Sequence, residues 1–269
     1  MYPCAVADLL ERDVDAVRVI TLNRPETMNA LTLEAMAALG ERLEAAAADS
    51  RVRAVVVTGA GASFSSGGDT RFLQELPGMA PERVRDVVYG TFQRPIRAIR
   101  AMRKPVIAAV NGPAVGAGCE LALAADFRLA SETARFGEVW IRIGCVPALG
   151  GMYLLPRIVG LTKAVEMILT GAVVDAAEAL RIGLVNRIVP AAGLAGAALA
   201  LARDLAAGPA EAIALAKETI ARGLGTDLAG ALDAALAAQA RCFATEDFAE
   251  GVRALAERRS PRFTRGGSE

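Results

Sequence analysis

Two short runs of β-branched residues on either side of a helical pattern restrict the fold of this chain more than any other feature. Residues 16–22 (AVRVITL) and 52–58 (VRAVVVT) have the composition of buried strands. The intervening segment 32–48 carries apolar side chains at helical spacing: Leu33, Met36, Leu39 and Leu43. A strand, a helix and a second strand in this order favour a right-handed crossover between parallel strands. The sequence therefore predicts an α/β fold.

Later segments extend this pattern and then change character. VIAAV (106–110) and FRLA (127–130) are typical of strands, and the helical stretch from about 81 should be kinked or divided by Pro95. Residues 191–259 are mostly helical in pattern. We therefore predict a β/α core over 1–190 and a helical oligomerisation region over 191–269.

Composition and charge exclude several classes of protein. The 269 residues contain 30 Lys+Arg and 30 Asp+Glu, so the net charge gives no reason to expect nucleic-acid binding. The sequence contains no histidine, so we expect no Ser-His or Cys-His nucleophile pair and no His-ligated metal site. No apolar run is long enough for a membrane span, and the N-terminus lacks a secretory pattern. We therefore expect a cytoplasmic protein without a membrane partner. The cysteines lack CxxC spacing and predict neither a disulfide framework nor a zinc site: Cys4, Cys119, Cys145 and Cys242.

Two glycine-rich turns are the candidate ligand-binding features. They are Ser65-Ser66-Gly67-Gly68-Asp69 and Gly116-Ala117-Gly118, the second placed between a predicted strand and a predicted helix. Free N–H groups at such turns can stabilise an anion or a developing oxyanion. The same glycines also suit tight turns that bind nothing. The spacing does not match GxGxxG, GxxxxGK[ST] or GxSxG, which argues against dinucleotide binding, a Walker loop and a serine nucleophile elbow.

Five blocks of the sequence, in order, resemble the enoyl-CoA hydratase/isomerase (crotonase) family. The central one is KPVIAAVNGPAVGAGCELALAADFRLAS (104–131), which is similar to the family's KPxIAAVNGxAxGGGxExALACDxRIAs. The others are LNRPETMNALT (22–32), SFSSGGDTRFL (63–73), RIGCVPALGGMYLLPRIVG (142–160) and AAEALRIGLVNRIVP (176–190). The resemblance implies a crotonase-type ββα spiral core with a C-terminal helical trimerisation region. It also implies an acyl-CoA thioester as substrate, no metal, no separate cofactor, and a homotrimer or homohexamer.

The resemblance also implies roles for particular residues. The peptide N–H groups of Gly68 and Ala117 match the family's oxyanion hole, which holds the thioester enolate. Glu120 matches a catalytic glutamate in the helix after the second turn, where burial would raise its pKa toward general acid/base use. The remaining positions match substrate or coenzyme A contacts, or lie beside them: Arg24, Met28, Ala30, Ser66, Gly68, Asp69, Thr70, Arg71, Gly116 and Trp140. Arg24 also has a simpler interpretation as a solvated charge.

The chain departs from the family at its second catalytic acid. Hydratases of the family have a glutamate where this sequence has Trp140, and isomerases have an acid where it has Ala148. Trp140 is either a core aromatic residue or a wall of the acyl pocket. Glu138 lies two residues before Trp140, and we expect it to be an exposed charge rather than a replacement acid.

Hydration of an α,β-unsaturated acyl-CoA, with Glu120 as the single acid/base, is the function that these features favour. Two alternatives remain. One is a different enolate reaction, such as double-bond isomerisation, decarboxylation or thioester hydrolysis. The other is a non-catalytic acyl-CoA binder, since half of the usual pair of acids is missing.

Overall fold

The main sheet has six strands and runs through the middle of the molecule. The computed structural model describes residues 8–264, so Cys4 lies outside the described residues. In spatial order the strands are β1 (Leu9–Val14), β2 (Val17–Leu22), β3 (Ala54–Gly59), β4 (Val106–Val110), β6 (Phe127–Ser131) and β9 (Arg187–Val189). All neighbouring strands pair in parallel except β1 and β2, which form an antiparallel hairpin. The predicted parallel α/β arrangement is confirmed.

A second, smaller sheet lies beside the main one and carries residues close to the candidate site. It contains β5 (Pro113–Val115), β7 (Arg135–Gly137) and β8 (Val173–Asp175) in that order. β5 and β7 are parallel, and β7 and β8 are antiparallel. β7 ends directly before Glu138, so this sheet fixes the position of that residue.

Twelve α-helices follow or connect these strands within residues 8–264. They are α1 (Leu33–Ala48), α2 (Thr70–Glu75), α3 (Pro81–Val87), α4 (Gln93–Ala101), α5 (Ala117–Ala124), α6 (Gly151–Val159), α7 (Leu161–Thr170), α8 (Ala176–Arg181), α9 (Leu194–Ala206), α10 (Ala210–Gly223), α11 (Leu228–Phe243) and α12 (Glu246–Ala256). A π-helical turn over Val88–Phe92 separates α3 from α4, so the predicted division of this stretch falls before Pro95.

Alternate residues of the central strands enter two separate hydrophobic cores. On β3, Val55 and Val57 face the core that contains α1, whereas Ala54 and Val56 face the core that contains α9. Because both faces of the sheet are covered, the strands are almost continuously apolar, as is typical of parallel sheets. The apolar residues of α9 that cover the second face follow helical spacing: Leu194, Ala198 and Ala202.

The C-terminal region is helical, as expected, although α9 packs on the main sheet. The division of the chain at residue 190 stays a prediction. Within residues 8–264, no single helix is long and apolar enough to cross a membrane, and only the pair 191–206 and 210–223, bent by 105°, meets those criteria together. Cys119, Cys145 and Cys242 are free thiols.

Candidate active site

The two glycine-rich turns pack directly against each other. Ser65 N donates a hydrogen bond to Pro113 O (3.0 Å), and Val115 N donates one to Ser65 O (3.1 Å). A Cβ on Gly118 would lie only 2.6 Å from Ser65 O. Glycine at position 118 is therefore required for the start of α5 to approach the first turn this closely.

Backbone geometry at Gly67 and Gly116 also requires glycine. Gly67 has φ +97°, and a Cβ there would lie 2.8 Å from Val115 O and 3.5 Å from Ala117 N. Gly116 has φ +52° and ψ −125°, a conformation that residues with a side chain rarely adopt. These two residues bring Gly68 and Ala117, the predicted oxyanion donors, to adjacent parts of the structure.

Gly68 and Ala117 both have unused peptide N–H groups. Leu31 N donates to Gly67 O (2.7 Å) and Asp69 N donates to Leu31 O (3.0 Å). These two hydrogen bonds pair Leu31 with Gly68 without using the N–H of Gly68. Ala117 is the first residue of α5, where the helix supplies no acceptor for its N–H. In the part of the chain that the structure describes, neither N–H has a hydrogen-bond partner. Such a pair of donors can stabilise negative charge on an oxygen.

Glu120 lies in the first turn of α5 and is completely buried. Its Oε1 accepts hydrogen bonds from Leu149 N (2.7 Å) and Gly151 N (2.8 Å), and its Oε2 accepts one from Trp140 Nε1 (3.0 Å). A carboxylate oxygen can accept two hydrogen bonds. Oε1 is therefore saturated, and Oε2 keeps one free position for a proton or a water molecule.

Burial and hydrogen bonding act in opposite directions on the pKa of Glu120. Burial raises the pKa because it disfavours the charged form, whereas the donors on Gly151, Leu149 and Trp140 lower it. The effect of burial is larger, so the pKa of Glu120 is raised from its ordinary value toward neutrality. A carboxyl group of this kind can exchange a proton near neutral pH.

Trp140 covers this carboxylate and the turn beside it. The indole ring lies 3.6 Å from the position of a Cβ on Gly116, next to Ala117. Its Nε1 is the only donor to Oε2 of Glu120 among the described residues. Trp140 thus occupies the place expected of a second acid but provides a hydrogen-bond donor instead. Ala148, at the other such place, is exposed and accepts a hydrogen bond from Gln93 through its main-chain oxygen.

The prediction that Glu138 is an exposed charge is wrong. The residue directly follows β7, with φ −91° and ψ 71°, and is completely buried. A Cβ on Gly151 would lie 2.9 Å from Glu138 Oε1 and 3.1 Å from Glu120 Oε1, so both glutamates border the same point. The error arose because the local sequence does not reveal that α5 and α6 close over this position.

Arg24 and Asp69 join the first turn to the segment after β2. Arg24 donates to Ala30 O (2.8 Å) and to Asp69 Oδ2 (3.2 Å), so it is not simply a solvated charge. Asp69 is the N-cap of α2 and accepts a hydrogen bond from Arg71 N (2.9 Å). Although burial opposes the effect, Arg71 N–H and Arg24 hold the pKa of Asp69 below its ordinary value.

The other predicted coenzyme A contacts are in or next to the first turn, or in the segment after β2. Met28 is exposed and has a left-handed backbone, with φ 54°. Ser66 N donates to Met28 O (2.9 Å), which places Ser66 beside it. Thr70 is the first residue of α2. Their contacts with a substrate stay predictions.

Two backbone groups that sequence reasoning missed complete the surroundings of Glu120. Leu149 N and Gly151 N come from the LGG segment at the start of α6, 29 and 31 residues beyond Glu120. The Gly150-Gly151 pair was the available signal, because a side chain at 151 would collide with both glutamates. The repeated glycine alone could not identify which carboxylate it approaches.

The comparison with protein families covers almost the entire chain. Residues 12–266 match the family model described as Enoyl-CoA hydratase/isomerase. A crotonyl-CoA hydratase of Syntrophomonas wolfei subsp. wolfei is 37% identical over 257 residues, which is 95% of this chain and 96% of that protein. A short-chain-enoyl-CoA hydratase of Clostridium acetobutylicum is 37% identical over 252 residues, 93% of this chain and 95% of that protein.

Solved structures give the same result for the fold. An enoyl-CoA hydratase from Polaromonas sp. JS666 superposes with a TM-score of 0.91 at 34% identity, covering 95% of this chain and 99% of that one. An enoyl-CoA hydratase from Bacillus anthracis superposes with a TM-score of 0.89 at 35% identity, with coverages of 96% and 99%. The predicted spiral core followed by C-terminal helices is confirmed.

Proposed function

The chain belongs to the enoyl-CoA hydratase/isomerase family, and from that premise we propose that it adds water across the double bond of an α,β-unsaturated acyl-CoA thioester. One observation carries the proposal. The buried carboxylate of Glu120 and the free N–H of Ala117 lie in the same turn of α5, beside the free N–H of Gly68. A base is thus placed next to two donors that suit an enolate oxygen.

In this proposal Glu120 moves a single proton. Its charged form accepts a proton from water as the water oxygen bonds to the β-carbon of the substrate. The electrons of the double bond move to the thioester oxygen, where the N–H groups of Gly68 and Ala117 stabilise the enolate. Glu120 then returns the proton to the α-carbon, so water is added and the charged carboxylate is restored. These steps need no metal and no cofactor besides the coenzyme A of the substrate.

Trp140 and the first turn have supporting roles in this proposal. Trp140 Nε1 stabilises the charged form of Glu120 through Oε2, and its ring forms a wall beside Gly116. The surface for the coenzyme A portion of the substrate is provided by Met28, Ala30 and residues 66–71. Arg24 stabilises this surface through its hydrogen bonds to Ala30 O and Asp69 Oδ2.

Turnover of crotonyl-CoA in the presence of a chelator tests the hydration. Glu120→Gln should lower kcat by a factor of about 10² or more, the usual scale for a lost general acid/base. The new amide would face the indole N–H donor-to-donor, so the double variant with Trp140→Phe separates this conflict from the loss of the base. Glu132→Gln, on an exposed turn, is the matched control and should keep wild-type turnover.

The products formed in heavy water distinguish the alternatives. Hydration adds oxygen at the β-carbon and one deuterium at the α-carbon. Double-bond isomerisation is the second candidate, because a single carboxylate with no second acid at 140 or 148 suits a proton transfer between two carbons. It would exchange deuterium without adding oxygen. Saturable binding of acyl-CoA without turnover of any thioester tested would instead identify a binding protein and contradict the proposal.

We further propose that the protein works as a homotrimer or homohexamer. α11 exposes three leucines at intervals of four residues: Leu228, Leu232 and Leu236. α7 exposes a similar row: Leu161, Val165 and Leu169. Continuous apolar faces of this kind mark interaction surfaces in proteins.

A further inference from the structure

Glu138 is a buried carboxyl group that the proposed mechanism leaves unused. It follows β7, has no exposed surface, and neither of its oxygens has a hydrogen-bond partner within residues 8–264. A buried polar group without partners costs free energy, and a buried charge without partners costs far more. A carboxyl group buried at such a cost points to a role for Glu138 in the site.

The surroundings of Glu138 connect it to Glu120. Oε1 of Glu138 and Oε1 of Glu120 lie 2.9 and 3.1 Å from one point, the position of a Cβ on Gly151. The thiol of Cys119 lies alongside and contributes a small lowering of the pKa of Glu138, although it makes no aligned hydrogen bond. Burial and then the charge of Glu120 act more strongly, in the opposite direction, and raise the pKa of Glu138.

Hydrogen bonding decides which member of the pair carries a charge. Glu120 accepts hydrogen bonds from three donors, all of which favour its ionised form. Glu138 accepts none, so its neutral form is favoured. Two negative charges this close at buried positions would repel each other strongly. These contacts favour a proton on Glu138 over a proton on Glu120.

No other ionisable group among the described residues compensates for a charge on Glu138. β5 consists of Pro113, Ala114 and Val115 and carries no such group. On β8, Asp175 caps α8 through Glu178 N. On α6, Tyr153 and Arg157 stack on each other and are exposed, and on α5 the nearby groups are Cys119 and Glu120.

We propose that Glu138 is a positioning residue that keeps a proton beside Glu120, so that the pair carries one negative charge and this charge lies on Glu120. The effect of this proton on turnover rests on the function proposed above. Loss of the proton from Glu138 would place a second negative charge near the forming enolate. The rate should then fall on the alkaline side, in addition to the fall on the acid side when Glu120 is protonated.

The single tryptophan of the chain provides a direct test without any substrate. Trp140 Nε1 donates to Glu120 Oε2, so its fluorescence reports the charge on that carboxylate. The emission of the wild-type protein, excited where tyrosine does not absorb, should change in two steps, one around neutral pH and one at alkaline pH. Glu138→Gln replaces the protonated acid by a neutral side chain of the same size. It should keep the first step within about half a pH unit and remove the second.

Control variants assign the two steps. Glu120→Gln should remove the neutral step, and Glu132→Gln, on an exposed turn, should preserve both. A first step that moves down by about one unit or more in Glu138→Gln would mean that Glu138 is charged at neutral pH, which contradicts the proposal. Persistence of the second step in Glu138→Gln would also contradict it.

Two further measurements keep the proposal testable. If Glu138→Gln does not fold, the infrared spectrum of the wild-type protein should still show the carbonyl band of a protonated carboxyl group at mildly alkaline pH, where ordinary carboxyl groups are ionised. Its absence overturns the proposal. If the protein hydrates crotonyl-CoA, the alkaline fall in kcat should disappear in Glu138→Gln. Because the optical titrations need no turnover, the proposed function and the role of Glu138 can fail separately.

Discussion

The hydrogen bond from Trp140 is one of three that make Glu120 easier to ionise. The bond lowers the pKa of Glu120 against the effect of burial, so Trp140→Phe should raise that pKa. Since the proposed reaction starts from the charged carboxylate, the acid side of the kcat/KM profile should move to higher pH. A hydrogen bond to a charged group contributes ~1.5–3 kcal/mol, which corresponds to a shift of about one pH unit or more. An unshifted or lower midpoint would show that the indole does not stabilise the charge.

Glu138 should make the stability of the protein depend on pH. Its pKa is raised in the folded state, so its contribution is fully present below the ordinary carboxyl pKa and is lost as the pH rises toward the raised value. Between about pH 6 and about pH 8, the wild-type free energy of unfolding should fall ~2–3 kcal/mol more than that of Glu138→Gln. Urea unfolding at the two pH values measures this difference. Equal slopes for the two proteins would mean that Glu138 is ionised in the folded state.

At the scale of the element, the N-cap of α2 should link local stability to the proposed substrate binding. Asp69 caps this helix beside the N–H of Gly68 and also holds Arg24, so Asp69→Ala should loosen the first turn. We expect a loss of about 1 kcal/mol in stability and a decrease of roughly tenfold or more in kcat/KM for the acyl-CoA.

The N-cap of α11 provides a matched control for this experiment. Asp227 accepts a hydrogen bond from Gly230 N at 2.9 Å, the same length as the cap bond at Asp69, but it lies away from the site residues described above. Asp227→Ala should cost a similar free energy of unfolding and leave kcat/KM within about twofold of wild type. If both variants lose activity equally, the effect of Asp69 is on stability alone.

At the scale of the whole molecule, α11 should hold copies of the chain together. Leu232→Glu and Leu236→Glu in one variant place two charges on its exposed apolar row and should dissociate the assembly into smaller species. Light scattering at micromolar concentration measures the mass. Ala237→Glu adds a charge at an exposed position on another face of the same helix and should leave the mass unchanged. A wild-type protein that is a stable monomer would contradict the proposed assembly.

The sequence alone determined the helices and strands whose formation depends on residues close together along the chain. The apolar runs of β2, β3, β4 and β6, the helical spacing of α1 and the C-terminal helices were all predicted, because strand and helix patterns are short-range. The short strands β1, β5, β7, β8 and β9 were missed. Four of them have only three residues, and even the six-residue β1 is mostly exposed, so they form largely through pairing with a partner strand.

Only the tertiary structure decided the state of the two glutamates. Glu120 could be selected from the sequence because it matches the family's catalytic glutamate in the helix after the second glycine-rich turn, but its donors lie 20–31 residues further along the chain. Glu138 was expected to be exposed and is buried, because β7, α5 and α6 close around it. The chemical type of an ionisable group is written in the sequence. Its charge state depends on which distant segments remove its water and which supply donors in return.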